Sequence, residues 1–236
     1  MFVNAIRTAQ KAMFPIFRQE LIDETQCQVM AIGSGFFINR QGYFVTVSHL
    51  FDNPNAQTTF RYWGQLPDAI HNPSLVINEI DRDDDFDAFV GKIEIKSPGH
   101  FNFLENDPEV GQSVCLSGYP MASIGVDNQG IFQLGGVRRY FQPSFILDQV
   151  SLDSNNGFGR IRKHNGYLAR DTGYFGMSGG PAFDIYGNIL GMQGSITNPR
   201  ISTDASGKIS IAVQNAVIIK ADIIKKLLNK NNIEHN

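Results

Sequence analysis

The sequence is poor in cysteine and contains no long apolar run and no block of lysine or arginine. Its two cysteines, Cys27 and Cys115, are too few for a disulfide framework and have no metal-binding spacing. This usage favours a reducing compartment, and the alternative is a single disulfide between Cys27 and Cys115. No stretch approaches the ~18 consecutive apolar residues of a membrane span, and residues 1–19 lack the apolar core of a secretory signal. We therefore expect a cytoplasmic protein without a membrane partner, a cofactor or a metal site.

Charge and composition narrow the class further. A net charge of −3 without a cluster of lysine or arginine argues against a nucleic-acid partner. The 236 residues are enough for a sizeable core, and the 23 glycines and 18 phenylalanines favour β structure with many turns. We expect a globular protein built mainly from strands.

A glycine-rich stretch surrounds Ser178, with Gly176 two residues before it and Gly179 and Gly180 directly after it. Glycines allow a tight turn from which a hydroxyl projects, and they keep side chains away from a substrate. The backbone N–H groups of Gly176 and Ser178 could converge there as an oxyanion hole. The pattern indicates a nucleophilic serine, although Ser-Gly-Gly-Pro also occurs in ordinary turns.

The order of residues along the chain limits which base could serve Ser178. The five histidines are His49, His71, His100, His164 and His235. Only His235 follows the serine, close to the end of a polar tail. This excludes the nucleophile elbow of α/β-hydrolases, because that fold has its histidine after the serine. A subtilisin-like order would need an acid before His49 and a different sequence around the serine. The order histidine, aspartate, serine remains.

Two motifs resemble chymotrypsin-like serine proteases. The segment from Gly176 to Pro181 resembles their Gly-x-Ser-Gly-Gly-Pro signature, and residues 33–50 resemble the first-barrel hairpin of the HtrA/Deg group of trypsin-like proteases. The resemblance implies two six-stranded antiparallel β-barrels with an N-terminal and a C-terminal helix. We expect a single protease domain of 236 residues without a PDZ domain. Its predicted parts are a helical segment at 1–25, a first barrel at 26–100, a second barrel at 111–214, and a helix with tail at 215–236.

The same resemblance implies the base and the acid of a catalytic triad. His49 ends the second strand of the hairpin, Tyr43–Phe51, where the family has its general base. Asp87 precedes the apolar strand that starts at Ala88, where the family has the acid that orients the histidine. Asp85 is the alternative acid, since it lies two residues away on the same face of an extended strand. We expect residues 81–84 to form a solvated loop.

The resemblance also implies a specificity pocket. Its base lies six residues before the nucleophile, at Thr172, and its opposite wall includes Gln193, Gly194 and Ser195. Threonine offers no charge to a substrate cation, so we expect small or medium apolar residues before the cleaved bond. A one-residue slip that turned Asp171 inward would instead favour arginine or lysine.

We therefore expect a serine endopeptidase that cleaves protein or peptide substrates through an acyl-enzyme intermediate. The alternative is a catalytically silent binding module on the same fold. The basic N-terminal helix, with Arg7 and Lys11, could receive a regulatory partner. His164 and Arg162 are expected to be exposed, and residues 121–160 to form long surface loops.

Overall fold

The structure is a computed structural model, and it describes most of the chain. The described residues are 1–21, 27–53, 58–66, 75–120, 122–126, 132–135, 137–155, 161–197, 201–203, 206, 209–211 and 214–235. Every catalytic residue predicted from the sequence lies in these ranges, whereas His71 lies outside the described residues.

The first half of the chain forms an N-terminal helix that is followed by an open antiparallel sheet. Its elements are α1 (Val3–Ala12), β1 (Met13–Leu21), β2 (Cys27–Phe37), β3 (Tyr43–Thr46), a 3₁₀ helix (Ser48–Phe51), β4 (Phe60–Gly64), β5 (Leu75–Val76), β6 (Asn78–Asp83) and β7 (Ala88–Lys92). The described strands run in the order β5-β4-β1-β2-β3-β7-β6. Neighbouring strands are antiparallel, so one face of the sheet can close over a core.

The second half forms a closed barrel. Its elements are β8 (Ser113–Gly118), β9 (Ser123–Val126), β10 (Phe132–Gly135), β11 (Tyr140–Asn155), β12 (Ile161–Ala169), β13 (Pro181–Phe183), β14 (Ile189–Ile196), β15 (Ile201–Thr203), β16 (Ile209–Ile211), β17 (Ala216–Lys220) and α2 (Ala221–Lys230). Six strands close in the order β11-β12-β17-β14-β13-β8. β9 pairs with β10, and β15 pairs with β16, as two small separate sheets. The expected all-β architecture is thus confirmed.

The first sheet differs from the prediction in having seven described strands instead of six. The difference includes β1, which arises from the segment predicted to be helical. The helix stops at Ala12, because Pro15 has no N–H to donate and cannot continue the helix. In the strand that follows, Phe14 and Ile16 are fully buried. β1 pairs with β2 on one side and with β4 on the other.

Three other predictions of local structure are corrected. The predicted strand Tyr43–Phe51 ends at Thr46, and a 3₁₀ helix follows it. The acidic residues from Asp81 to Asp83 belong to β6, where Asp81 accepts a hydrogen bond from Asn231 and forms an ion pair with Lys230. Much of the segment predicted as surface loops is the 16-residue strand β11.

The hydrophobic core joins the two halves. A phenylalanine-rich cluster fills the first half, and it continues into Phe183 and Ile219 of the second barrel. Helix α2 packs onto the same cluster through its predicted apolar stripe of Ile223, Ile224, Leu227 and Leu228, all of which are buried. The shared core fixes the first sheet against the barrel, and the loops that carry Ser178 and His49 meet at this junction.

Candidate active site

The loop that carries Ser178 is fastened to strand β2 by Ser34. The backbone N–H of Ser34 donates to the carbonyl of Ser178 at 2.9 Å, and its hydroxyl donates to the carbonyl of Gly176 at 2.6 Å. The same hydroxyl accepts the N–H of Tyr119 at 3.0 Å, and the Ser34 carbonyl accepts the Thr46 hydroxyl at 2.7 Å. Since Ser34 is fully buried, these bonds are shielded from water and hold the loop on the first sheet.

The backbone of this loop leaves two N–H groups available. The N–H of Met177 closes a turn on the carbonyl of Tyr174 at 3.0 Å, and Gly176 within the turn has φ +89°. A type II turn requires such a positive φ at its third residue. Within the described part of the chain, neither the Gly176 N–H nor the Ser178 N–H has a hydrogen-bond acceptor. Both donors are thus without an acceptor in these ranges, and their role as an oxyanion hole stays a prediction.

His49 is held by Asp87. The ring Nδ1 of His49 lies 2.8 Å from Oδ2 of Asp87, and Oδ1 accepts the His49 backbone N–H at 2.9 Å. The Ser48 hydroxyl also donates to Oδ1, at 3.2 Å. Asp87 itself has φ +58°, in the left-handed region that aspartate tolerates better than most residues. The contacts on both carboxylate oxygens fix the orientation of the imidazole ring.

The ionisation of Asp87 follows from its neighbours. Burial alone would raise the pKa of this carboxyl, but the adjacent His49 and the guanidinium of Arg162 together hold it below its ordinary value. Asp85, the alternative acid, is exposed in the turn before Asp87, and its carbonyl accepts the backbone N–H of Lys163 at 2.7 Å. The geometry thus brings Asp87, and not Asp85, to the histidine.

A cavity of about 820 Å³ unites most of the predicted site residues. Its lining includes the predicted residues His49, Asp87, Thr172, Ser178, Gln193, Gly194 and Ser195. Gly176 lies beside it in the turn before the serine. No hydrogen bond in the described part of the chain joins the Ser178 hydroxyl to His49, and this contact is commonly loose before a substrate binds.

Comparison with known proteins assigns the family. The sequence profile described as "Trypsin-like peptidase domain" matches residues 33–192, which is more than half of the chain. The chain belongs to this family. The match covers all the predicted catalytic residues of this trypsin-like peptidase domain, from His49 to Ser178.

Relatives and solved structures agree with this assignment. A "Probable periplasmic serine endoprotease DegP-like" from Rhizobium meliloti is 26% identical over 208 residues, covering 87% of this chain and 35% of the relative. One of the same name from Brucella suis is 25% identical over 210 residues, covering 87% of this chain and 34% of the relative. The active form of the Rv3671c protease from M. tuberculosis superposes with a TM-score of 0.66 at 16% identity, covering 98% of this chain and 85% of that one. At this identity the superposition supports the fold alone.

The relatives correct the predicted location. The peptidase domain spans about a third of the length of these relatives, and their names place them in the periplasm. The prediction of a cytoplasmic protein is therefore wrong. It rested on the scarcity of cysteine and on the absence of a visible signal, and neither feature reports a compartment reliably. Among the described residues, no helix is long and apolar enough to cross a membrane.

Two residues of the peptidase domain that were predicted to be exposed are buried at the site. Arg162 and His164 are each 4% exposed and line the cavity, because they alternate along β12 with the exposed residues Lys163 and Asn165. The alternation is present in the sequence, but both inward residues are polar, so it carries no hydrophobic signal. Burial lowers the pKa of His164, a shift that the nearby Asp87 carboxylate opposes.

Next to Thr172, the predicted base of the specificity pocket, no carboxylate of the described residues lines the cavity. Asp171 pairs with the guanidinium of the exposed Arg170, at 2.9 Å, and it does not line the cavity. Gln193 is 2% exposed, and a methyl group added at Gly173 would overlap its amide. The Gln193 side chain therefore lies over Gly173 and shortens the pocket next to Thr172.

Cys115 takes no part in this chemistry. It is a free thiol, fully buried in β8, and burial raises its pKa to about 12. A thiol with so high a pKa is a poor nucleophile at neutral pH. In the described ranges, no three or more histidine, cysteine, aspartate or glutamate side chains are grouped so as to hold a metal ion.

Proposed function

We propose that this peptidase domain is a serine endopeptidase in which Ser178, His49 and Asp87 form the catalytic triad. The observation that carries the proposal is that all three line one cavity, with Nδ1 of His49 2.8 Å from Asp87. Membership of the trypsin-like peptidase family supports the same reaction and a protein or peptide substrate.

The mechanism follows from these positions. His49 removes the proton from the Ser178 hydroxyl as the oxygen attacks a peptide carbonyl, and Asp87 stabilises the imidazolium that forms. The N–H groups of Gly176 and Ser178 donate to the oxyanion of the tetrahedral intermediate, and loss of one such donor costs ~2.7–4 kcal/mol in a related site. His49 then protonates the leaving amine, and a water molecule releases the acyl group in the reverse sequence.

The pocket suits a small or medium apolar side chain before the cleaved bond. Thr172 offers no charge, and Asp171 is turned away to Arg170, so a buried substrate cation would have no counter-ion. Gln193 limits the depth of the pocket, and Gly194 contributes only backbone to its lining. Residues such as valine, alanine, leucine or methionine fit these limits.

A silent binding module on this fold remains the alternative function, but no observation favours it. A pseudoenzyme has no need for free donors at Gly176 and Ser178 or for a buried carboxylate that orients His49. These features are retained together in this domain.

Fluorophosphonate labelling tests the proposed function. The probe should attach to Ser178, and Ser178→Ala should abolish both labelling and peptide hydrolysis. Ser151→Ala, which removes a hydroxyl from the exposed face of β11, is the matched control and should behave like the wild type. Unchanged hydrolysis by Ser178→Ala would contradict the assignment of the nucleophile.

A regulatory partner at helix α1 also remains a proposal. The exposed side of the helix carries Arg7 and Lys11, which line a cavity of about 550 Å³ together with Arg40, Lys96 and His100. No carboxylate lines this cavity in the described part of the chain. A partner that binds there should therefore present an acidic group.

A further inference from the structure

Arg162 brings a positive charge from the second barrel to the catalytic acid. Its Nη2 donates to Oδ2 of Asp52 at 2.8 Å, and its Nε lies 3.5 Å from Oδ1 of Asp87. Both carboxylates belong to the first half of the chain, whereas Arg162 lies on β12. The arginine side chain is 5% exposed and that of Asp87 is 1% exposed, so solvent screens this interaction only weakly.

The position of Arg162 is fixed at both ends. The backbone of its neighbour Lys163 donates to the carbonyl of Asp85 at 2.7 Å, which ties the start of β12 to the turn before Asp87. The bond to Asp52 holds the outer end of the guanidinium. A planar guanidinium can face two carboxylates at once: here Nη2 is hydrogen-bonded to Asp52, while Nε faces Asp87 at ion-pair distance without a hydrogen bond. An ammonium group cannot reproduce this fork.

The two oxygens of Asp87 consequently have different neighbours. Oδ2 faces the imidazole of His49, and Oδ1 faces the His49 backbone N–H, the Ser48 hydroxyl and Arg162. Rotation of the carboxylate out of its present plane would move both oxygens away from these neighbours and would weaken the contact with the ring. A cation beside Oδ1 opposes this rotation, because it favours the present arrangement electrostatically.

We propose that Arg162 is a positioning residue for the catalytic acid: its guanidinium spans Asp52 and Asp87 and keeps the Asp87 carboxylate turned towards His49. This inference rests on the proposed function, since it concerns the same triad. Arg162 acts through Asp87 and needs no contact with the reacting atoms.

Three variants test the proposal in the full chain. Arg162→Met removes the charge and the fork, Arg162→Lys keeps the charge alone, and Lys163→Met removes a neighbouring exposed charge as the matched control. For each variant, kcat and KM are measured per site titrated with fluorophosphonate, and folding is checked by thermal unfolding. Counting only titrated sites removes the effect of a misfolded fraction.

Arg162→Met should lose about 10- to 100-fold in kcat, with a smaller change in KM. A loss of this size is typical when the hydrogen-bond partner of a metal-ligating histidine is mutated. Arg162→Lys keeps the charge and should therefore recover part of the lost kcat, and Lys163→Met should match the wild type in both kcat and KM.

The outcomes separate the two proposals. Arg162→Met with the kcat and KM of Lys163→Met overturns the positioning role. If Arg162→Met does not fold, Arg162→Lys decides, since full kcat in that variant shows that the fork is not needed. A wild-type chain that neither labels at Ser178 nor hydrolyses peptides overturns the proposed function itself, and the positioning role with it.

Discussion

Replacement of Ser34 by alanine should uncouple the nucleophile loop from the first sheet. The change removes the hydroxyl that donates to the Gly176 carbonyl at 2.6 Å and accepts the Tyr119 N–H at 3.0 Å. It leaves both backbone groups without this partner in a buried site, and an unsatisfied buried group costs roughly 1–3 kcal/mol. A loss of about 3 kcal/mol in the free energy of unfolding would lower Tm by roughly 6–12 °C for a chain of this size.

The catalytic effect of Ser34→Ala should follow from the same geometry. The Gly176 carbonyl that loses its hydrogen bond belongs to the turn whose N–H groups would face the oxyanion. A disordered donor at this point would cost up to ~10²–10³-fold in turnover, which is the effect of removing one oxyanion-hole donor. The rate of fluorophosphonate labelling at Ser178 and the thermal unfolding curve should therefore change together.

A second buried serine supplies the control for this experiment. The Ser97 hydroxyl donates to the Asn39 carbonyl at 2.8 Å, and Ser97 is 7% exposed, but it does not line the catalytic cavity. Ser97→Ala should lower Tm without slowing the labelling reaction. A wild-type labelling rate in Ser34→Ala would refute the reasoning that Ser34 holds the turn in its reactive form.

Three further variants test the acid, the pocket and a buried histidine. Asp87→Asn should reduce kcat by ~10⁴-fold near neutral pH by favouring the wrong tautomer of the base, and Asp85→Asn should have little effect; the reverse result would move the acid to Asp85. Gln193→Ala should deepen the pocket and shift a peptide-library profile from small to larger apolar residues before the cleaved bond, whereas a profile dominated by arginine or lysine in the wild type would contradict the proposed specificity. Burial holds the pKa of His164 below its ordinary value. The neutral histidine therefore gives its full contribution to the free energy of unfolding above about pH 6.5, and this contribution is lost as the pH falls through the lowered pKa. His164→Gln should reduce the loss of stability in urea between about pH 7.5 and pH 5.5, and an identical loss in both proteins would argue against a buried neutral histidine.

The parts of the site that the sequence predicts are those fixed by the backbone. A nucleophile turn needs glycine at Gly176, where φ is +89°, so the local sequence carries the signal directly. The C-terminal helix was equally visible, since its apolar stripe has helical spacing and is buried where expected. The roles of the catalytic residues stay predictions until the variants are measured.

The parts that the sequence does not predict depend on contacts between distant segments. Arg162 is buried against Asp52 and Asp87, and His164 is buried close enough to feel the charge of Asp87, and no local pattern indicates such neighbours. The role of Ser34 is equally hard to predict from the sequence, since its hydrogen bonds reach residues more than 80 positions away along the chain. Strand β1 was missed because an amphipathic helix leads directly into it, and the apolar residues on both sides of the boundary suit either structure.

The place of β1 in the first sheet also bears on where the domain can be cut. The family profile begins at residue 33, and a shortened chain that started there would lack Met13–Leu21. In the folded chain this strand lies between β4 and β2, so its removal would separate β4 and β5 from the rest of the sheet and expose two unpaired strand edges. Exposed edges of this kind promote aggregation, and truncated forms of the protein should be soluble only if they retain Met13 and the residues after it.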